Sequence, residues 1–143
     1  MIYRHQFRVP ASVERVAEFH AHSASMTAIT LPPNVVKVQH TSPVLADGDE
    51  RDFTMRLGPL PVHWLARSDA VSKVGFTDRQ LRMPFTEWVH RHIFRAEDEN
   101  TMDVMDKITL RLRIHSLWWP VGLGKWLCLP VLFGAWKTER MLS

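Results

Sequence analysis

The sequence holds one cysteine, Cys128, among 143 residues. No internal disulfide can form, and a reducing cytoplasm is the expected compartment. The opening MIYRHQFRVP lacks the apolar core of a secretory signal, which agrees with that expectation. Repeats, low-complexity tracts and long linkers are also missing, and the length suits one core, so residues 1–143 are expected to form a single domain. Basic residues are not gathered: 18 Lys and Arg are nearly matched by 15 Asp and Glu, leaving a net charge of +3. A nucleic-acid binder usually carries a basic stripe, and the nearest approach, Arg111, Arg113 and His115, reads as the solvated face of a strand. Nucleic acid is not an expected partner.

A clean membrane span is lacking too. Leu117 to Trp136 is about as long as the roughly 20 residues that cross a bilayer. Lys125 interrupts it, at a cost of roughly 2.5 to 3.5 kcal/mol near a span's centre, and Pro120, Gly122 and Gly124 weaken its first third. The uncharged remainder, Trp126 to Trp136, is too short to span. A helix apolar on all sides is otherwise a buried one, so this tail is expected to cover a sheet, without stable membrane insertion.

What is present is 45% hydrophobic and 23% charged, the balance of a globular chain rather than a disordered one. Ile2 to Val9 alternates and ends at Pro10, which predicts a strand. Ser12 can cap a helix from Val13 to about His20, and a second helical turn spans Ser23 to Ile29. Six strands follow: Val35 to His40, Glu50 to Leu57, Leu60 to Val71, Gly75 to Arg82, Phe85 to Ala96 and Met102 to Ile114. Turn residues such as Asp47-Gly48 and Gly58-Pro59 separate them. After Pro120 the chain is helical again. Tight turns between consecutive strands imply an antiparallel meander, and two short helices cannot cover its apolar face. The last helix must do so. Pro130 and Gly134 inside it, with Gly122 and Gly124 near its start, predict a kink or a late beginning.

The segment from Glu87 to Arg95 carries the most chemical information. On a strand, Trp88, His90, His92 and Phe94 share one face, and Glu87, Val89, Arg91, Ile93 and Arg95 share the other. The charged face belongs in water, so the Trp/His/His/Phe face should point inward. With Asp98, Glu99 and Asn100 as a three-residue loop and Asn100 left-handed, Glu97 faces Thr101, Phe94 faces Val104, His92 faces Asp106 and His90 faces Ile108. A carboxylate facing a histidine suits a general base, and it equally suits a buried pair that sets strand register. His90 and His92 offer two metal ligands, but no third His or Cys has a recognisable spacing, so no metal is expected. The Gly58-Pro59 turn sets Leu57 opposite Leu60, Met55 opposite Val62 and Phe53 opposite Trp64. This inner face is either solid core or the wall of an apolar pocket.

The order of strand, two small helices, six strands and a long terminal helix resembles the START-like, or Bet v 1-like, helix-grip superfamily (SRPBCC). The resemblance covers nearly the whole chain. It rests on the opening Ile2 to Ile29, on the run Phe76-x-Asp78-x-Gln80 followed by Pro84-Phe85-x-x-Trp88-x-His90-x-His92-x-Phe94, on Thr101 with Asp106, and on Trp136-Lys137-Thr138-Glu139-Arg140. That run is similar to a bacterial subgroup related to polyketide cyclase/dehydrases. The resemblance implies an α+β helix-grip fold, a curved seven-stranded antiparallel sheet wrapped around the C-terminal helix, with an apolar cavity between them. It shifts Phe53, Met55, Trp64, Trp88 and Phe94 from core towards pocket lining, with His90, His92 and Asp106 as polar contacts. The expected partner is a hydrophobic, lipid-like or polycyclic small molecule, no cofactor is implied, and a homodimer is allowed. A cyclase or dehydratase enzyme, with His92 as base oriented by Asp106, is the alternative. No shared catalytic set carries over from the superfamily.

Overall fold

The computed structural model describes residues 1–28, 36–57, 60–82, 87–111 and 122–142. Within these, the side chains of 23, 26, 27, 36, 40, 55, 57, 60 and 122–131 are left aside. The elements run β1 (Ile2–Val9), α1 (Val13–Ala21), α2 (Ser23–Ala28), β2 (Val36–His40), β3 (Glu50–Leu57), β4 (Leu60–Ser72), β5 (Gly75–Arg82), β6 (Glu87–Asp98), β7 (Thr101–Arg111) and α3 (Gly122–Leu142). The strands form one antiparallel sheet in the order β1-β7-β6-β5-β4-β3-β2. The chain meanders from β2 to β7, and β1 closes the far edge beside β7.

Ser12 caps α1 as expected, its hydroxyl accepting from the Arg15 amide at 3.4 Å. The helix ends where the His22 amide turns back to the Glu18 carbonyl. Along β7 the residues alternate strictly, with Met102, Val104, Asp106, Ile108 and Leu110 buried. Asp106 is the only polar member of that buried series. Val9, Val16, Phe76, Phe94, Met102, Val104 and Leu142 form the central cluster, joining β1, α1, the mid-sheet and the end of α3. Each such side chain contributes about 1.5 to 3 kcal/mol on burial. The opposite face carries exposed ion pairs such as Arg8–Glu97 at 2.6 Å and Arg111–Glu87 at 2.9 Å.

The β6–β7 hairpin reaches the expected register by another route. Asp98, not Glu97, pairs with Thr101, and the ladder shifts between Ala96 and Asp98, so Glu97 is the extra residue of a bulge. Asn100 is not left-handed: Ala70 is the sole non-glycine residue at positive φ among the described residues. The Asn100 amide instead donates to the Asp98 carboxylate at 2.8 Å, an Asx turn that tightens the loop to two residues. A shorter loop plus one bulged residue gives the same count as the longer loop.

α3 is a single helix from Gly122 through Pro130 and Gly134 to Leu142, so it starts directly at the first glycine rather than late. Ala135, Thr138 and Leu142 face inward, while Leu132, Trp136 and Met141 are exposed. Among the described residues no helix is long and apolar enough to cross a membrane. The Gly58-Pro59 turn, Pro84-Phe85, the Arg113 and His115 positions and Leu117 to Pro120 lie outside the described residues, as does Ile29.

Candidate functional site

Directly paired residues share a face, so the ladders define what lines the inner side of the sheet. β6 supplies Trp88, His90, His92 and Phe94, which face Leu110, Ile108, Asp106 and Val104 on β7. On its other side β6 meets β5, with Asp78 opposite His90 and Phe76 opposite His92. Ser68 on β4 faces Asp78, and Arg51 on β3 faces Ala66. A polar band thus crosses an otherwise apolar face from Arg51 to Asp106.

At the β6–β7 end, the Asp106 carboxylate lies 2.8 Å from His92 Nδ1 and accepts from His90 Nε2 at 3.3 Å. The two rings are 4.0 Å apart between centroids. The His92 contact is close but misaligned, and its buried Nδ1 lacks a hydrogen bond. Phe76 stacks on His92 at 4.4 Å. His20, the last but one residue of α1, packs on His92 at 5.7 Å and on Phe94 at 4.9 Å, and its Nδ1 lies 2.8 Å from the Val16 carbonyl. Toward β3, Arg51 and Ser68 both donate to Asp78 Oδ1, each at 2.5 Å, and Arg51 also donates to Ser68 at 3.0 Å.

Burial drives Asp106 upward, but the adjacent His92 and the hydrogen bond from His90 outweigh it and hold the carboxyl below its usual range. Asp78 behaves likewise: burial opposes its charge, and the Arg51 guanidinium wins. Burial, reinforced by His92, lowers His90, so that ring is neutral near pH 7. His20 is lowered by burial first and by His92 second, to about 4.

These shifts predict an acid-labile fold. Native His20 gives up its proton at a lower pH than the unfolded chain does. Between about pH 6.5 and 4 the unfolded state therefore binds more protons, and stability falls as pH falls. The groups facing His20 are His90 and His92 on β6 and Asp106 on β7. The two depressed carboxylates add stability that is present above about pH 4 and lost below it. With EDTA present, urea unfolding at pH 7 and pH 4.5 should differ by about 1 to 3 kcal/mol more in the wild type than in His20→Phe. Equal pH dependence in the two proteins would remove His20 from this account.

At the other end, Phe53 stacks on Trp64 at 5.7 Å, and Trp64 meets Trp88 edge-on at 5.1 Å. Met55 sits opposite Val62 and Val36 in register, while its side chain lies outside the described residues. Phe94 is 3% exposed and packs in the central cluster. Seven of the eight site residues named from sequence thus fall into a histidine–aspartate group, an aromatic group and Phe94 in the core between α1 and the sheet, Met55 being placed by register alone. A separate open groove of about 370 Å³ lies between α1 and the β4–β5 hairpin, with Phe76 and Phe94 among its walls and Glu14, Glu18 and Lys73 at its rim.

Sequence reasoning passed over Arg51, Ser68, Asp78 and His20 as site residues. Arg51 has the same strand parity as Phe53, and Asp78 the same parity as Phe76, so alternation already turned both inward. His20 follows Val16 by one helical turn, which sets it on the buried stripe.

No protein-family model and no curated protein matches the sequence. Solved structures do match in fold. The ZhuI aromatase/cyclase from Streptomyces sp. R1128 superposes with a TM-score of 0.76 at 14% identity, over 99% of this chain and 93% of that one. A START superfamily protein from Mycobacterium smegmatis gives 0.74 at 10% identity, over 99% and 96%. Ara h 8.0201 gives 0.70 at 10% identity, over 99% and 97%. The chain has the START-like, helix-grip fold that its sequence pattern resembles.

Proposed function

We propose that this protein binds an apolar or amphipathic small molecule between the sheet and α3. In this reading Phe53, Met55, Trp64 and Trp88 provide the apolar wall, Phe94 closes the α1 end, and His90, His92 and Asp106 orient the ligand's polar group. The observation that carries it is the partly buried His90–His92–Asp106 group with unmet hydrogen-bonding capacity at His92 Nδ1, beside an aromatic cluster on the same inward face. Buried polar groups are normally satisfied, and here His92 Nδ1, Gln80 Oε1 and Arg51 Nε all lack partners among the described residues. A few convergent polar groups on an apolar surface describe a small-molecule site. Structural neighbours that include an aromatase/cyclase and a START superfamily protein agree with it.

A second reading has its own support. His92 beside an ionised Asp106 is an imidazole poised by a carboxylate, which suits proton abstraction in a cyclase or dehydratase. The two readings separate on turnover. In both, an environment-sensitive fatty or polycyclic probe should bind one-to-one and quench tryptophan emission. Trp88→Ala should weaken that binding at least about tenfold, since the ring's lost contact area exceeds about 1.4 kcal/mol. His92→Gln should spare binding and abolish any turnover of a cognate substrate. Failure of every such probe to bind, with side chains filling the space beside Trp88, would make this face a core.

A further inference from the structure

Two carboxylates are buried on the inner face, and they are treated differently. Asp78 has a guanidinium and a hydroxyl donating to it. Asp106 is 5% exposed, and among the described residues its ion-pair contacts are to imidazoles alone. Buried charges are usually paired or bound to metal, and Asp106 lacks the Arg or Lys that would complete the first arrangement.

The geometry points the same way. In a hydrogen bond the ring N–H aims at the carboxylate oxygen. In a chelate both lone pairs aim at a third point, and donor and acceptor stand close without facing each other. His92 Nδ1 and Asp106 Oδ1 are 2.8 Å apart without an aligned hydrogen bond between them, which is compatible with the second arrangement. Metal–ligand bonds of about 2.0 to 2.2 Å place neighbouring donor atoms about 2.9 to 3.5 Å apart. The Asp106 oxygen stands 2.8 Å from one ring nitrogen and 3.3 Å from the other, and all three donor atoms lie within 4.8 Å of one another. Closing the set needs side-chain shifts of less than an ångström or so, on strands whose register already fixes the three residues.

We propose that His90 Nε2, His92 Nδ1 and Asp106 Oδ1 form a binding site for a divalent first-row transition-metal ion, with further coordination positions open to a ligand oxygen. Two imidazoles and one carboxylate suit zinc, cobalt or iron(II) rather than magnesium or calcium, which prefer oxygen alone. Phe76, stacked on His92, holds that ring in place. The His90 and His92 side chains keep 16% and 13% of their surface open while His92 Nδ1 itself is buried, so an ion enters by a small shift of the rings. This inference deepens the pocket reading above by giving its polar end a chemical identity, and it replaces the sequence-based expectation that no metal binds. That expectation sought a third His or Cys at a fixed spacing, whereas the third ligand here is an aspartate delivered by strand pairing.

The test uses the full chain, stripped with EDTA and titrated with cobalt(II) or zinc alone. One equivalent should bind with micromolar or tighter affinity, and cobalt should give visible d–d absorption. His92→Gln and Asp106→Asn should each weaken binding at least about 100-fold, while His63→Gln on the exposed side of β4 should leave it unchanged. Circular dichroism confirms that each variant is folded, and His90→Gln stands in if Asp106→Asn is not. Absence of stoichiometric binding, or binding equal in wild type and His92→Gln, overturns the site. Apolar probe binding by the metal-free protein is measured separately. Metal retained with no probe bound sinks the pocket reading and leaves the metal site standing, and the converse result sinks the metal site alone.

Discussion

Gly75→Ala is expected to lose more than about 4 kcal/mol of stability, or not to fold, although it adds a single methyl group. Gly75 opens β5 opposite Ile93 at φ +134°, a conformation open to glycine and strained for any residue with a side chain. A Cβ there would stand 2.0 Å from the His92 carbonyl oxygen and 3.0 Å from its carbonyl carbon. The obstacle is backbone in the middle of the sheet, so no side chain can swing aside. Either β5 separates from β6, losing the Phe94 amide's bond to the Val74 carbonyl, or β6 is pushed and carries His92 with it. Gly48→Ala is the control. Gly48 is also left-handed, at φ +83°, but a Cβ there meets nothing within 4 Å. It should cost only the left-handed penalty of about 1 to 2 kcal/mol. Urea unfolding of both variants measures the difference. Equal losses would show that the β5–β6 approach is looser than described.

Why so much of this was legible, and where it stopped, follows from the period of a strand. Alternation turned Trp88, His90, His92 and Phe94 inward, and counting from the loop set His92 against Asp106. The count survived an incorrect loop because a bulge at Glu97 restored the residue that the shorter turn removed. Register depends on the sum of loop and bulge, and sequence reports the sum better than the parts. The element order was equally readable, because charged outward faces and Pro, Gly or Asp at the breaks mark most strand ends. Less readable was which inward residues meet across non-neighbouring elements. His20 reaches His92 only once α1 is laid against β6, and no spacing along the chain carries that distance. Arg51 and Asp78, 27 positions apart, come together because β3, β4 and β5 lie side by side. Alternation turns each inward but does not choose the partner. The proposed metal site was hidden at the sequence level for the same reason, since its third donor would come from the neighbouring strand.

The Arg51–Asp78 pair is where the second large effect is expected. Asp78→Ala should destabilise the protein by about 3 to 5 kcal/mol, because it strands the guanidinium of a residue that is 7% exposed and removes the acceptor for the Ser68 hydroxyl. Arg51→Met should cost less. Asp78 would keep the Ser68 hydrogen bond, and its carboxyl can take up a proton once the cation that depresses it is gone. Arg51→Met combined with Asp78→Leu should recover most of the loss, since a buried pair replaced by apolar groups is often neutral or stabilising. The coupling in this cycle should exceed about 2 kcal/mol at pH 7. It should shrink as pH falls below about 4, where the unfolded carboxyl takes up a proton that the native, Arg51-bound one resists. Urea midpoints for the four proteins at pH 7 and pH 3.5 give the cycle directly. The outcome that breaks the account is additivity at both pH values, which would mean that Arg51 finds another partner or reaches water when Asp78 is gone. If coupling holds, the Arg51 end of the polar band is held mainly by its own ion pair. The open coordination we propose belongs to the other end, at His90, His92 and Asp106.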